Sequence, residues 1–381
     1  MPGAANGTAA ATHESSPPLE ALGYKQELKR SLSLTDLLVY GLVSIVPGAP
    51  VAVFGIVFNA SKGMVPLVYF VGLVAMVFTA YSYVLMSRAY PVAGSVYTYA
   101  ARSIGEAAGF VAGWAILLDY LLGPALAYVA CAIAIHAIVP SVPDALWVVV
   151  LLALATVVNY LGIETTARTN FILLGLQFVI LVIFMAVGIA AAVHGTAGAH
   201  LSLQPLYNPA VLTPGVIFGA LSLAVLSFLG FDAISILSEE ARHGPSPVGR
   251  ATMLSLCLCA GFFMLETYLA SLFVLGRTQL APGPPTNEAF YTIAGLVGGT
   301  WLKFLIAVPG VLIGAVASAL AGQAATARLL YGMARDRKLP HWLAHVHPVR
   351  KVPERAIFLV AAITLAIGVF MVSLSFGRLV S

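Results

Sequence analysis

Long apolar runs separated by short polar loops organise this chain from about residue 36 onward. A helix crossing about 30 Å of hydrocarbon needs about 20 mostly apolar residues, because lipid offers no partner to an unpaired backbone group. Nine segments meet that length, at roughly 36–60, 65–88, 107–139, 145–163, 169–193, 211–238, 251–275, 300–333 and 356–376. The pattern therefore predicts an all-α, polytopic membrane protein with about nine spans. Two of these spans are interrupted in the letters themselves. Span 1 carries Ser44-Ile45-Val46-Pro47-Gly48-Ala49-Pro50 near its middle, and each proline removes an N–H and clashes with the preceding turn. Span 6 carries Ser227-Phe228-Leu229-Gly230-Phe231-Asp232 at comparable depth. Breaks five spans apart fall at the first position of each half of an inverted five-plus-five repeat, where half-helix ends and freed backbone groups build a midplane binding site. The alternative is two unrelated kinks, since proline-kinked membrane helices are common.

Composition narrows the classes further. Of 381 residues, 60% are apolar and 9% charged, against about 25% charged in an ordinary soluble domain, and the mean hydropathy is +0.96. Both a water-soluble globule and a disordered chain are excluded. A net charge of +4, finely dispersed, does not make a nucleic-acid surface. Cys131, Cys257 and Cys259 lie in apolar runs and offer neither a disulfide framework nor a zinc spacing. Residues 1–27 read as a disordered tail without the basic and apolar regions of a cleaved signal. Lys62, Arg277, Lys303 and Arg378 fall on one side of the nine spans, and all the other Lys and Arg residues on the opposite side. That asymmetry predicts a multi-pass membrane protein with a cytoplasmic N-terminus.

Ionisable side chains inside spans are expensive and point to function by default. Asp119 in span 3, Asp232 in span 6 and Glu266 in span 7 lie deep, with no comparably deep Lys or Arg. A cationic substrate, a metal ion or a proton would supply the missing charge. Asp119 is followed by Tyr120, and a carboxylate beside a phenol gives an ammonium both a charge-assisted hydrogen bond and a cation–π face; otherwise Asp119 bonds a neighbouring helix. Asp232 sits in the break of span 6, where it either meets a ligand or bonds freed backbone N–H groups. Glu266 has no companion motif and reads as a protonated, helix-bonded acid. Glu239 and Glu240 end span 6 as a gate or as solvated charges, and Phe228 and Phe231 wall the site or face neighbours. His341, His345 and His347 belong to a proline-flanked loop and read as solvated, so no metal site and no cofactor are expected. With no Gly-rich phosphate loop and no nucleophile–base cluster, neither ATP-driven transport nor an enzyme is indicated. The sparse polar residues do not line a continuous pore.

Pro91-Val92-Ala93-Gly94-Ser95-Val96-Tyr97-Thr98-Tyr99 is similar to the P-x-A-G-[GS]-x-Y-x-Y segment that follows the second helix in the amino acid–polyamine–organocation superfamily. Tyr40-Gly41-Leu42 leading to Pro47, Gly113-Trp114 through Leu118-Asp119-Tyr120, Ser227 through Asp232, Leu237-Ser238-Glu239-Glu240, and Arg328 through Asp336 also resemble this superfamily, and most closely its putrescine-importer-like members. The likeness covers about residues 28–355. It implies a LeuT-like transporter domain over 28–381, with a first repeat of about 36–193 and a second, incomplete one of about 211–381. It also implies uptake of a small amine or amino acid coupled to a proton or sodium gradient. Ser44, Pro47, Gly48, Ala49, Asp119, Tyr120, Phe228, Gly230, Phe231 and Asp232 are the expected substrate-binding set, with Glu239, Glu240, Gln177 and Ser318 as gate or coupling candidates. Carriers of amino acids on this fold hold the α-carboxylate with N–H groups at a glycine-rich break. Pro47 and Pro50 delete two such donors, which favours a polyamine cargo. Proton-coupled amino-acid relatives carry a lysine in span 5 where this chain has Gln177, so that coupling device is absent. Members of the superfamily usually carry further spans, so a fragment, or a transport-dead permease serving as sensor or scaffold, is the alternative expectation.

Overall fold

The computed structural model describes residues 19–136, 139–242 and 246–380, and leaves aside the side chains of Pro284 and of residues 375–380. Among the described residues the chain is helical, with a single isolated bridge, Leu32 to Ala241, in place of any sheet. Nine spans result when the bent pair Leu34–Ile45 and Ala49–Ser61 is taken as one. Span 2 is Val65–Ala89, span 3 Glu106–His136, span 4 Asp144–Leu161 and span 5 Ile163–Val193. Span 6 is Pro214–Glu240, span 7 Ser246–Leu272, span 8 Thr300–Arg335 and span 9 Glu354–Val380. The ends follow local chemistry. Span 1 starts at a capping box, in which Ser33 Oγ accepts from Asp36 N–H and Asp36 Oδ2 accepts from Ser33 N–H at 2.8 Å. Span 6 starts on Thr213, whose side chain accepts from Val216 N–H, with Pro214 in the first turn.

The packing has an offset of five. Span 2 lies along span 7, span 3 along span 8 and span 4 along span 9. Span 1 pairs with span 6 crosswise: Leu34–Ile45 packs on Phe231–Glu240, and Ala49–Ser61 on Pro214–Ala224. This reciprocity is what two inverted repeats produce, and it brings the two interrupted helices together at the centre.

Three elements were not anticipated. A short helix, Val96–Ser103, follows the P-x-A-G segment, and two more, Pro284–Asn287 and Ala289–Gly298, follow one another between spans 7 and 8. Asn59 ties the connection between spans 7 and 8 to span 1, accepting from Leu280 N–H at 2.6 Å and donating to Thr286 Oγ1 at 3.1 Å. Span 8 is also irregular, with a π-type turn over Ile306–Gly310 around Pro309. Of the expected tail, residues 1–18 lie outside the described residues. Residues 19–27 run against the bundle, where Tyr24 O–H donates to Asp336 at 2.9 Å and Gln26 Nε2 to the carbonyl of Glu239 at 3.0 Å.

Candidate functional site

Both breaks exist and they touch. Span 1 bends by 44° between Ile45 and Ala49, and Val46 takes φ +64°, an unusual conformation for a β-branched residue. Span 6 tightens to a 3₁₀ turn at Val225–Phe228, extends at Leu229, turns at Gly230 with φ +97°, and resumes as a 3₁₀ helix over Phe231–Glu240. A methyl group added at Gly230 would stand 2.5 Å from the Ser44 carbonyl oxygen and 2.8 Å from its carbon. Glycine is therefore needed there for both dihedral and space. Gly230→Ala is expected to destabilise the purified protein by about 1–3 kcal/mol, read as a fall in Tm. Gly219→Ala, where nothing lies within 4 Å of the added carbon, is expected to leave Tm unchanged or slightly raised.

Two residues past Gly230, Asp232 is buried and accepts a hydrogen bond from Tyr120 O–H at 2.5 Å. Tyr120 is fixed in turn by span 8, whose Thr326 Oγ1 donates to the Tyr120 carbonyl at 2.7 Å. Tyr40, Tyr83 and Tyr99 all interact electrostatically with the Asp232 carboxylate. Tyr83 also stands edge-on to Phe231, with ring centroids 5.5 Å apart. Among the described residues no Lys, Arg or His forms an ion pair with Asp232. The result is a buried carboxylate among phenols, beside freed backbone and short of one positive charge.

The expected Asp119–Tyr120 pair is not formed. Successive helical residues point about 100° apart, so Tyr120 faces inward and Asp119 lies exposed on the outer face of span 3, with no ion-pair partner among the described residues. Asp119 still interacts electrostatically with Asp232. Phe228 is fully buried against Tyr69 and Phe263, with centroid separations of 6.0 and 5.2 Å, so it packs spans 2, 6 and 7 together and turns away from Asp232. Ser44 Oγ donates to the Tyr40 carbonyl at 2.8 Å, and Pro47 is buried within the bend. Gly48 and Ala49 line a cavity of about 310 Å³ together with Gln177, Ser318, Gly314 and the π-type turn at Ile306 and Gly310. That cavity is mainly apolar, and Asp232, Tyr120 and Phe231 are not among the residues that line it.

Glu239 and Glu240 are not solvated; both are buried and ion-paired. Arg328 grips Glu240 with two N–H bonds, Nε to Oε2 at 2.5 Å and Nη2 to Oε1 at 2.9 Å, and also donates to the Ala324 carbonyl. Arg335 holds Glu239 at 2.7 and 3.1 Å, and the Ala93 N–H of the P-x-A-G segment adds a third bond at 2.7 Å. Tyr24 lies under the Arg335 guanidinium at 4.1 Å, which stitches the N-terminal segment across this basic end. At that end Tyr24 stays protonated to higher pH than a free phenol, chiefly because it is buried. Glu266 is 1% exposed, and neither of its carboxyl oxygens has a hydrogen-bond partner among the described residues, contrary to the helix-bonded acid expected. The expectation missed Tyr83 as part of the site. Tyr40, Tyr99 and Arg328 all lay inside the segments that carried the resemblance, and the Pro309-Gly310 pair was the available signal for the irregular turn of span 8.

Comparison with known proteins agrees with this geometry. An amino acid permease family model matches residues 36–381, which include both breaks and every residue of the site. The low-affinity putrescine importer PlaP of Escherichia coli (strain K12) is 34% identical over 365 residues, covering 93% of this chain and 79% of the importer. The branched-chain amino acid permease BcaP of Bacillus subtilis (strain 168) is 25% identical over 371 residues, covering 92% and 77%. Cationic amino acid transporter 4 of Mus musculus is 28% identical over 358 residues, covering 88% and 54%. With its broken first and sixth helices in contact and its spans paired five apart, the chain belongs to the amino acid permease family of the amino acid–polyamine–organocation superfamily, a family of membrane transporters and not of enzymes.

Proposed function

We propose that this permease imports a small cationic amine, putrescine first among them, across the plasma membrane by alternating access. The observation that carries the reading is the Asp232 carboxylate, buried, held by Tyr120 and surrounded by phenols with no basic partner. An ammonium group supplies the missing charge and finds cation–π faces around it. The span 1 break fits the same cargo. Pro47 and Pro50 have no N–H, and Ala49 N–H is spent on the Val46 carbonyl at 2.8 Å. Gly48 is then the one residue from 47 to 50 with an N–H left for a carboxylate, which disfavours an amino acid. The name of the Escherichia coli relative supports the amine reading, while those of BcaP and of the mouse transporter keep an amino acid as the second cargo.

The distribution of Lys and Arg supports placing the Glu239–Arg335 and Glu240–Arg328 end in the cytoplasm. That end is sealed by buried ion pairs and by the N-terminal segment, as in a state closed to the cytoplasm. Spans 1–5 (about 36–193) and the spans from 211 onward would be the two repeats, and Glu239 and Glu240 the groups that let go when the cytoplasmic side opens. Asp119, on the outer face of span 3 but within electrostatic range of Asp232, would add to the negative field that draws the far ammonium of a diamine.

The test is ligand-dependent stability followed by flux. Diamines are expected to raise the Tm of the purified protein, since a ligand that binds only the folded state stabilises it, and labelled putrescine is expected to accumulate in vesicles. Asp119→Asn should weaken diamine binding about fivefold, the effect of about 1 kcal/mol for a half-exposed charge, and leave a monoamine within twofold. A Tm response to neutral amino acids alone would overturn the amine reading. Diamine binding without flux would favour a sensor.

A further inference from the structure

We propose that Glu266 is a proton-binding site that couples import to a proton gradient; this rests on the transporter reading above and assigns its coupling ion. The argument starts from an unsolved polar group. Glu266 sits in span 7 with 1% exposure, and both of its oxygens are buried without a hydrogen bond. Burying an ionised carboxylate without a countercharge costs several kcal/mol, whereas a carboxyl group that carries its proton has no net charge to bury. A bound proton needs no cavity and no ring of ligands, so it suits a packed position better than a metal ion does.

The surroundings offer no competing charge. Span 7 packs against spans 1, 2, 5 and 6 and the Ala289–Gly298 helix. From span 2, Tyr69 interacts with Glu266 electrostatically, and Cys259 does so from span 7 itself. The charged residues of span 1 and its flank are Asp36 and Lys62 at its two ends, and those of span 5 are Glu164 and Arg168 in its first turns. Span 6 carries Asp232, Glu239 and Glu240 in its second half, and the Ala289–Gly298 helix carries Tyr291 alone. None of these forms a hydrogen bond or ion pair with Glu266 among the described residues.

Glu266 is also connected to the site. Its neighbour Tyr69 shares a 2.9 Å hydrogen bond with Ser227 Oγ, three residues before Gly230 in the tightened part of span 6. Tyr69, Phe228 and Phe263 pack as one aromatic cluster around that bond. When the proton leaves Glu266, the new charge must reach water or a partner, and it does so only if spans 2, 6 and 7 loosen around this cluster. When the proton returns from the acidic side, the packing closes and the break beside Asp232 takes the shape seen here. Proton occupancy and the geometry of the substrate site are thereby linked.

Proteoliposomes containing wild type or Glu266→Gln test this. With one proton carried per substrate, each pH unit of gradient is worth about a tenfold accumulation. Wild type is expected to show that stimulation and to carry protons inward with putrescine. Glu266→Gln, close to isosteric and unable to take up a proton, is expected to keep putrescine exchange while its stimulation falls to about onefold. Gradient stimulation that survives in Glu266→Gln, or stimulation by sodium in place of protons, would overturn the proposal. An infrared titration without substrate gives an independent reading. The wild-type minus Glu266→Gln difference should contain one carboxylic-acid stretch that appears and vanishes with pH, and a difference spectrum without such a band would equally sink the idea. Failure of wild type to carry putrescine, with that infrared change intact, would refute the substrate and leave the proton site standing.

Discussion

Asp232→Asn is expected to lower affinity for a diamine by about 30-fold to several-thousand-fold, the range for removing one partner of a buried, hydrogen-bonded charge pair at about 2–5 kcal/mol. The substitution keeps the volume and one carbonyl oxygen, so the Tyr120 hydrogen bond survives in neutral form and Thr326 still holds the Tyr120 backbone. What is lost is the charge that an ammonium would meet. Without ligand, Asp232 is a buried carboxylate lacking a countercharge, and neutralising it should leave stability unchanged or improved. The variant should therefore show a normal or higher Tm, no Tm increase on adding putrescine, and saturable uptake near background. Tyr120→Phe provides the graded comparison. It removes one hydrogen bond to a charged group within the protein, worth about 1.5–3 kcal/mol of stability, and should lower affinity less than Asp232→Asn does, because that bond is present with and without ligand. Uptake by Asp232→Asn at the wild-type rate would place the amine elsewhere, with the apolar cavity at Gly48 and Gln177 the next location to examine.

Reading the letters alone reached the architecture because the relevant signals are local. Proline and glycine in a membrane helix delete donors or steric limits at a fixed position, so the breaks at Pro47 and Gly230 were legible without any tertiary knowledge. The span boundaries came from run length, which hydrocarbon thickness sets directly. The site was only half legible, and the reason is angular. Asp119 and Tyr120 are adjacent in sequence, yet the buried stripe of span 3 runs through Gly113, Leu117, Tyr120, Pro124 and Tyr128, while Leu118, Leu122 and Leu126 face outward. Counting that helical period around the acid would have placed Tyr120 inside and Asp119 outside. The partners of Asp232, by contrast, come from spans 1, 2 and 3 and from the Val96–Ser103 helix, and no window of sequence contains them together. Arg328 was visible as a charge near a span end, but its bond with Glu240 joins residues 88 positions apart, across a contact of span 6 with span 8 that lies outside the offset of five.

The Glu240–Arg328 pair should give the largest loss of stability. Its side chains are 0% and 2% exposed, the guanidinium makes both available bonds to the carboxylate, and a third bond reaches the Ala324 carbonyl. Arg328→Met leaves Glu240 buried with no partner, and removing one member of such a pair costs about 3–5 kcal/mol. Much of the detergent-purified protein is then expected to lose its cooperative melting transition near ambient temperature. Glu240→Gln alone strands the guanidinium and should cost a similar amount. The double variant Glu240→Leu/Arg328→Met strands neither charge, and exchanging a buried pair for apolar side chains is commonly neutral or stabilising. It should recover most of the lost Tm. The flux of that double variant then separates two roles. If the pair only holds spans 6 and 8 together, restored stability brings restored transport. If it must part each time the basic end opens, an apolar contact in its place changes the balance between closed and open states, and transport falls while binding from the opposite side persists. The proposed gate predicts the second outcome, and the comparison of flux with Tm in the same preparation decides it.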